Sequence, residues 1–243
     1  MMILTVDIGN SLIKTAVFSG YNNIIVDILS NADKDNIANI VKKYKPCKAI
    51  ISSVVKDGDT EIKALIKPYI NDVYILDGKM KLPFDNLYGT PETLGKDRIA
   101  AVAGAQAMFP HKNVLVIDAG SAITYDFLHV GEKYLGGDIA PGLAMRFKAL
   151  NHYTSRLPLV QVNPEITFPG NTTVDAIASG VFNGMIFEIE GYRNFCTKKW
   201  GKINTVITGG DSIYFVNKLK NPIFANPNLV FLGLKRILEY NEN

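Results

Sequence analysis

Three segments of the chain place polar and charged residues at a turn that follows an apolar run, where proteins often bind anions. In the first, Asp7-Ile8-Gly9-Asn10-Ser11 follows a β-branched stretch and precedes Lys14. A glycine after a strand lets backbone N–H groups approach a phosphate closely, and Lys14 adds positive charge. Asp7 supplies a hard oxygen ligand for Mg²⁺, either directly or through water. A plain β-hairpin with an Asp-Gly type turn is the alternative interpretation.

The second segment, Asp118-Ala119-Gly120-Ser121, repeats this pattern after another apolar run. Two such turns at equivalent places in two domains are expected to face each other across a cleft, where they would hold a polyphosphate and its metal. The third segment, Thr208-Gly209-Gly210-Asp211, is a glycine turn predicted between a strand and a helix. The positive end of a helix dipole suits a nucleotide phosphate, but an ordinary strand-to-helix turn explains this segment equally well.

A fourth segment, Gly95-Lys96-Asp97-Arg98, lies where a helix is predicted to begin. A carboxylate beside a substrate hydroxyl can accept its proton, so Asp97 is a candidate general base, with Arg98 as an anion or carboxylate clamp. The preceding loop, from Tyr88 to Leu94, would then form a wall of the substrate site. The alternative is structural, because Asp is also a favoured residue at a helix N-cap.

The elements that must position these residues occur in a repeated order. Apolar and β-branched runs predict strands at 2–8, 12–18 and 24–29, joined by tight links as an antiparallel meander. Helix, strand, helix, strand and helix follow up to residue 109, and a similar order begins again at residue 114. The sequence therefore predicts an α/β protein of two related domains, each of order βββαβαβα, at 1–112 and 113–243, with a ligand cleft between them.

Composition excludes several classes of protein. The chain has 243 residues, of which 47% are hydrophobic and 20% charged, so it can bury a sizeable core. A net charge of +3 is too small to predict a nucleic-acid partner, and no apolar run approaches the roughly 18 residues that a membrane span needs. Two cysteines without a C-x-x-C pattern predict neither zinc nor redox chemistry and favour a reducing compartment, the cytoplasm.

A stripe of small residues marks the long helix predicted after Thr173. Ala176, Gly180 and Gly184 recur every four residues and would let another helix come close. The stripe is predicted to serve helix packing or a contact with a second copy of the chain.

Taken together, these segments resemble the type III pantothenate kinases over nearly the whole chain. The combination of Gly-x-Asp-Arg with two Asp-x-Gly elements is the specific part of the resemblance. The matching elements, in the family's order, are Asp7 to Ser11 with Lys14, Gly89-Thr90-Pro91, Leu94 to Arg98, Asp118 to Thr124, Gly136-Gly137 through Pro141-Gly142, Gly170 to Thr173, and Thr208-Gly209-Gly210.

The resemblance implies membership of the superfamily that unites acetate and sugar kinases, actin and heat-shock chaperone ATPases, whose members have two ribonuclease-H-like domains. It implies ATP-dependent phosphorylation of pantothenate to 4'-phosphopantothenate, the first step of coenzyme A biosynthesis. It further implies Mg²⁺, a monovalent cation (K⁺ or NH₄⁺) and a homodimer.

Site residues are carried over position by position from the same resemblance. Asp97 matches the proton acceptor, Asp118 the monovalent-cation ligand, and Thr173 a substrate contact. The implied ATP contacts are Asp7, Ile8, Gly9, Asn10, Ser11, Leu12, Ile13, Lys14 and Ser121, and the implied pantothenate contacts are Tyr88, Gly95, Lys96, Asp97, Arg98 and Thr173. Ser11 and Ser121 stand where threonine is more usual, and both keep the hydroxyl.

Two other functions compete with this one. The chain could be a related kinase for another small hydroxyl substrate, such as a sugar or an acetate-like acceptor. It could also be a non-catalytic regulatory or accessory protein that resembles pantothenate kinases. The presence of Lys14, Asp97 and Asp118 disfavours the second alternative.

Overall fold

A computed structural model describes residues 2–10, 12–20, 23–30, 33–162, 168–220 and 223–242. The chain forms two compact units, one made of residues 1–110 and 228–243 and the other of residues 111–227. The predicted site residue Ser11 lies outside the described residues.

Unit 1 is built on a five-stranded sheet of order β3-β2-β1-β4-β5. The first three strands pair antiparallel as a meander, whereas β1, β4 and β5 run parallel. Its elements are β1 (Met2–Ile8), β2 (Leu12–Ser19), β3 (Asn23–Ser30), α1 (Asn36–Tyr44), β4 (Lys48–Ser53), α2 (Gly58–Ile66), β5 (Asp72–Ile75), β6 (Asp85–Asn86), a 3₁₀ turn (Pro91–Thr93) and α3 (Lys96–Met108).

Unit 2 repeats this strand order in its own sheet. Its strands run β11-β10-β7-β8-β9, with β7, β8 and β9 antiparallel and β7, β10 and β11 parallel. Its elements are β7 (Val114–Ala119), β8 (Ala122–His129), β9 (Lys133–Pro141), α4 (Leu143–Tyr153), α5 (Thr173–Trp200), β10 (Asn204–Thr208), α6 (Ser212–Phe215) and β11 (Phe224–Ala225). The predicted α/β class with two ribonuclease-H-like domains is therefore confirmed.

The central strands of unit 1 are buried, and most of their side chains are apolar. In β1, Leu4, Val6 and Ile8 join Ile51 of β4 in the core of unit 1. Helices on both sides of a parallel strand pair produce such continuous apolar runs. This burial makes the carboxyl ends of β1 and β4 a fixed platform for polar residues.

The closing helix α7 (Leu229–Tyr240) differs from the prediction. The sequence places residues 228–243 in the second domain, but they cluster with unit 1, where α7 packs against α3, β1 and β4. Small residues explain the close packing, because a Cβ on Gly233 would overlap the carbonyl oxygen of Ala100. Hydrophobic periodicity predicts a helix and its apolar face, but it does not say which sheet that face covers.

We expect Gly233→Ala to lower the free energy of unfolding by about 1–3 kcal/mol, because backbone atoms that face the new methyl group cannot move aside like a side chain. Urea titration of the purified protein measures this change. The matched control is Gly78→Ala, since a Cβ there would meet nothing within 4 Å. Equal stability of both variants would contradict the close approach of α3 and α7.

Strand β9 contains the Gly136-Gly137 segment that forms part of the resemblance. Its pairing with β8 continues through these glycines to Pro141, after a register shift between Phe127 and Leu128.

Within the described ranges, every helix is too short or too polar to span a lipid bilayer.

Candidate active site

Asp7 and Ser52 occupy paired positions at the carboxyl ends of the parallel strands β1 and β4. Ser52 is fully buried, and its Oγ donates a hydrogen bond of 3.3 Å to Asp7 Oδ1. On the other side, Lys14 of β2 lies directly opposite Asp7 in the antiparallel register. The first predicted segment is therefore a β-hairpin that sets Lys14 opposite Asp7, and the neighbouring strand β4 supplies the Ser52 hydroxyl.

Asp97 lies in the first turn of α3, close enough to Asp7 for the two charges to interact. Burial raises the pKa of Asp7 to about 6, the negative charge of Asp97 adds to that rise, and Lys14 and the Ser52 hydrogen bond oppose it. Two carboxylates that share a site in this way are typical of catalytic and metal-binding positions. These residues come from distant parts of the sequence, and unit 1 brings them together.

Asp97 is not the N-cap residue of α3, because Gly95 occupies that position. Asp97 Oδ1 instead accepts the Arg98 backbone N–H at 2.9 Å. Asp97 is partly exposed and not fully buried. A carboxylate in the first turn is also favoured by the helix dipole.

Arg98 and Tyr88 form a second feature beside Asp97. Arg98 is only 6% exposed, and its guanidinium lies 5.6 Å from the centre of the Tyr88 ring. Tyr88 is held in turn by its backbone N–H, which donates to Asn86 Oδ1 at 3.1 Å. A buried guanidinium within cation–π distance of an aromatic ring is well suited to bind a carboxylate.

Lys96 is placed differently from its neighbours. Its ammonium forms an ion pair of 3.0 Å with Asp59 Oδ2 at the start of α2. Sequence reasoning did not single out Asp59, because no motif surrounds it.

The remaining residues of the predicted phosphate loop differ in how far their side chains are exposed. Ile8 and Ile13 are buried in the core, so their side chains cannot reach a ligand. Gly9 N–H donates to the Leu12 carbonyl at 3.0 Å, which closes the turn. The Asn10 and Leu12 side chains are exposed.

Unit 2 repeats this hairpin at the end of β7. Asp118 pairs with Thr124 of β8 and Thr208 of β10, and Gly120 N–H donates to the Ala122 carbonyl at 3.0 Å. The hairpin is one residue shorter than the first one, so Thr124 stands where unit 1 has Lys14. Ser121 at its tip is exposed.

The third predicted turn packs directly against Asp118. Gly209 has a φ of +90°, and a Cβ there would overlap both Asp118 Oδ1 and the Ala119 carbonyl oxygen. Asp211 N–H also donates to the Ala119 carbonyl at 2.9 Å, and burial raises the pKa of Asp211. The two glycine turns of unit 2 thus form one polar site.

Another side of this site is held by a network that sequence reasoning missed. Gly142 N–H donates to the Ser121 carbonyl at 3.2 Å, and Arg146 Nε donates to the Pro141 carbonyl at 2.7 Å. Arg146 also pairs with Glu188 of α5 at 2.7 Å. Thr173, the first residue of α5, is exposed.

The donor sets fit the cations that the resemblance implies. Mg²⁺ is usually bound by one or two carboxylates together with phosphates and water, and Asp7 at the end of β1 can supply one such carboxylate. The Asp118 carboxylate and the carbonyl groups of the adjoining turns offer oxygen ligands to a monovalent cation. Among the described residues, no group of three or more His, Cys, Asp and Glu side chains could hold a metal ion.

Comparison with known proteins points to the same family as the sequence motifs. A family model described as type III pantothenate kinase matches residues 3–194. A type III pantothenate kinase of Christiangramia forsetii is 46% identical over 99% of both chains. The chain belongs to the type III pantothenate kinase family. As a member of that family it is a kinase, and the paired hairpins and Gly-x-Asp-Arg segment described above are this chain's versions of the motifs that carried the resemblance.

Solved structures place this pantothenate kinase family member in a wider fold group. A conserved protein of Campylobacter jejuni, provisionally assigned to the Baf family of transcriptional activators, is 28% identical, with a TM-score of 0.63 over 99% of both chains. A ROK hexokinase of Thermus thermophilus is 11% identical, with a TM-score of 0.55 over 99% of this chain and 100% of its own. The second likeness concerns the fold alone.

Proposed function

We propose that this kinase transfers the γ-phosphoryl group of ATP to the primary hydroxyl of pantothenate, giving 4'-phosphopantothenate for coenzyme A biosynthesis. The observation that carries the proposal is the Asp7–Asp97 carboxylate pair at the sheet edge of unit 1, in a chain of this family. The cytoplasm, where ATP is available, is the proposed compartment.

Asp97 is the proposed general base. As the pantothenate oxygen forms its bond to the γ-phosphorus, the hydroxyl proton passes to Asp97, and the bond from the γ-phosphorus to the bridging oxygen breaks to release ADP. Positioning and electrostatic stabilisation are the main contributions of a kinase, because the transition state is loose and its charge is spread over the phosphoryl oxygens. The base orients the hydroxyl and accepts its proton. The position of Asp97, a partly exposed residue in the first turn of α3, suits this role.

Lys14 and the backbone N–H groups of the turn after β1, other than the paired N–H of Gly9, are the proposed ligands of the ATP phosphates. Such groups stabilise negative charge without reorganising during the reaction. Mg²⁺, when bound, neutralises phosphate charge, and Asp7 would hold it directly or through water. In unit 2, Ser121 is the proposed ATP contact and Asp118 the ligand of K⁺ or NH₄⁺.

Arg98 is the proposed partner of the pantothenate carboxylate. Its burial strengthens a charge-assisted hydrogen bond, and the Tyr88 ring lies within cation–π distance of the guanidinium. Gly95 and Thr173 complete the proposed substrate contacts.

A panel of acceptors tests the proposed substrate. Purified protein with ATP, Mg²⁺ and K⁺ is expected to release ADP with pantothenate and not with glucose or acetate. Release with a sugar or acetate and not with pantothenate would support the related-kinase alternative instead.

The regulatory alternative has one observation in its favour, the description given to the Campylobacter jejuni relative. Against it, Lys14, Asp97 and Asp118 are all present in this chain. Absence of ADP release with every acceptor, in a folded protein, would favour that alternative.

We also propose that the chain forms a homodimer through one face of α5. Gly180 and Gly184 do not serve packing inside the unit, since a Cβ on either would meet nothing within 4 Å. Helical spacing continues this face to Phe187, Gly191 and Phe195, and the two phenylalanines are 70% and 59% exposed. This face belongs to a helix of 28 residues, and its glycines leave room for another helix to come close. Such a face, with exposed apolar side chains beside the glycines, suits a symmetric contact with a second copy.

Phe187→Lys is expected to convert the dimer to a monomer, because the ammonium would be buried without a partner. Size-exclusion chromatography with light scattering measures the mass of each variant. The matched control is Val130→Lys, which replaces an exposed apolar residue in the turn after β8. A wild-type monomer, or a dimeric Phe187→Lys variant, would count against this face.

A further inference from the structure

The ion pair between Asp59 and Lys96 connects the first turns of two helices in unit 1. Asp59 lies at the start of α2, Lys96 is the first residue of α3, and their side chains approach to 3.0 Å. The pair is partly shielded from water, with 19% of the Asp59 side chain and 30% of the Lys96 side chain exposed. Both residues belong to unit 1, as do Asp7 and Asp97.

The Asp59 carboxylate is fixed by more than Lys96. Its Oδ1 accepts the Thr60 backbone N–H at 2.8 Å, which leaves Oδ2 directed at the ammonium. Burial pushes the pKa of Asp59 upward, but Lys96 and Thr60 outweigh burial and hold the pKa below its usual value. The carboxylate is therefore ionised at neutral pH.

The beginning of α2 lies against the strands that carry the catalytic platform. A Cβ on Gly58 would lie 2.9 Å from Ser53 Oγ and 3.4 Å from Ile8 Cγ2. Ser53 and Ile8 directly follow Ser52 and Asp7 at the ends of β4 and β1. Asp59 is thereby anchored to the sheet edge on which Asp7 sits.

We propose that Asp59 and Lys96 are positioning residues, and that their ion pair holds the first turn of α3 so that Asp97 stays beside Asp7. The inference rests on the proposed role of Asp97 as general base. It replaces the sequence-based expectation that Lys96 itself contacts pantothenate, because the ammonium is already paired with Asp59. Displacing a catalytic group by about 1 Å can lower the reaction rate on the order of 10²-fold. Loss of an ion pair that positions Asp97 should therefore have a measurable effect on the rate.

Three variants test the proposal in the pantothenate-dependent assay: Asp59→Asn, Lys96→Gln and the double variant. Asn at position 59 keeps an oxygen for the Thr60 N–H and removes only the charge. The matched control is Glu61→Gln, since Glu61 lies on the same helix α2 as Asp59. This change breaks the exposed ion pair of 2.6 Å between Glu61 and Lys34. Lys96→Arg, which keeps a cation for Asp59, is the rescue variant.

Each single change is expected to lower kcat by roughly 10-fold, with KM for pantothenate within about twofold of wild type. The double variant should be no worse than the poorer single variant, because the two residues act through each other. Glu61→Gln should equal wild type, and Lys96→Arg should recover most of kcat. Thermal unfolding of every variant shows whether a loss of kcat is a loss of fold.

Other outcomes overturn the proposal. A raised KM for pantothenate in Lys96→Gln with a normal Asp59→Asn variant would mean that Lys96 binds substrate directly. Multiplicative losses in the double variant would mean that the residues act independently. A wild-type protein that does not phosphorylate pantothenate would defeat the proposed function itself, and that result is distinct from either of these.

Discussion

Replacing Asp97 with asparagine is expected to lower the turnover of pantothenate phosphorylation by about 10²–10⁴-fold, the usual contribution of a general base. Asparagine has nearly the same shape and keeps an oxygen to accept the Arg98 N–H, so α3 should still begin correctly. It cannot take the proton of the attacking hydroxyl. Steady-state ADP release at saturating ATP and pantothenate measures kcat.

The matched control for Asp97→Asn is Asp72→Asn, an exposed aspartate in β5 of the same unit. That variant should keep wild-type turnover, and both should have the wild-type circular dichroism spectrum. Turnover within about threefold of wild type in a folded Asp97→Asn protein would rule out the proposed base, since that role requires a loss of at least about 10²-fold.

Asp7→Asn is expected to abolish activity and at the same time to stabilise the fold at neutral pH. The folded-state pKa of Asp7 is about 6, above its ordinary value of 3.8, because of burial and the charge of Asp97. The folded protein therefore binds this proton more tightly than the unfolded chain does. The contribution of protonated Asp7 to the free energy of unfolding of the wild-type protein is therefore fully present below pH 4. This contribution is lost as the pH rises through about 6.

At pH 7.5, neutral asparagine should therefore add about 1–3 kcal/mol to the free energy of unfolding in the absence of metal. Urea titrations with EDTA at pH 7.5 and below pH 4 measure the difference, which should shrink at the lower pH. Activity is lost because the proposed Mg²⁺ ligand and its charge are gone. A less stable Asp7→Asn variant at pH 7.5 would contradict the unfavourable burial of the Asp7 charge.

Most of the fold could be predicted from the sequence because its pattern is local. The meander at 2–29 follows from β-branched runs and tight turns, and its recurrence after residue 114 predicts a second domain of the same order. The location of α7 in unit 1 could not be predicted, since its apolar face fits any sheet and the decisive feature is the contact of Gly233 with α3.

The candidate site could be predicted where chemistry and motif coincide. Asp7, Asp97 and Arg98 stand out by residue type at a predicted strand end or helix start, and the structure brings the first two together. Ser52 and Asp59 could not be found in this way, because an ordinary serine in a buried strand and an aspartate at a helix start carry no signal of their own. Their importance comes from the parallel register of β1 with β4 and from the packing of α2.

The two hairpins show a limit of comparing sequence copies. Laying Asp7 on Asp118 aligns the strands correctly, but the first hairpin has one more residue. Lys14 therefore has Thr124 as its structural counterpart, so only unit 1 has a cation at this position. The positive charge of Lys14 accords with the proposed phosphate binding by the first turn. The hydroxyl of Thr124 accords with the proposed cation binding by the second turn.

Product formation from ATP and pantothenate tests the central claim most directly. The wild-type protein is mixed with both compounds, Mg²⁺ and K⁺, and ADP and phosphopantothenate are quantified together by mass spectrometry. We expect the two products in equal amounts, and neither product when pantothenate or Mg²⁺ is left out. ADP release that is the same with and without pantothenate, or no phosphopantothenate from a folded protein, would contradict the assignment.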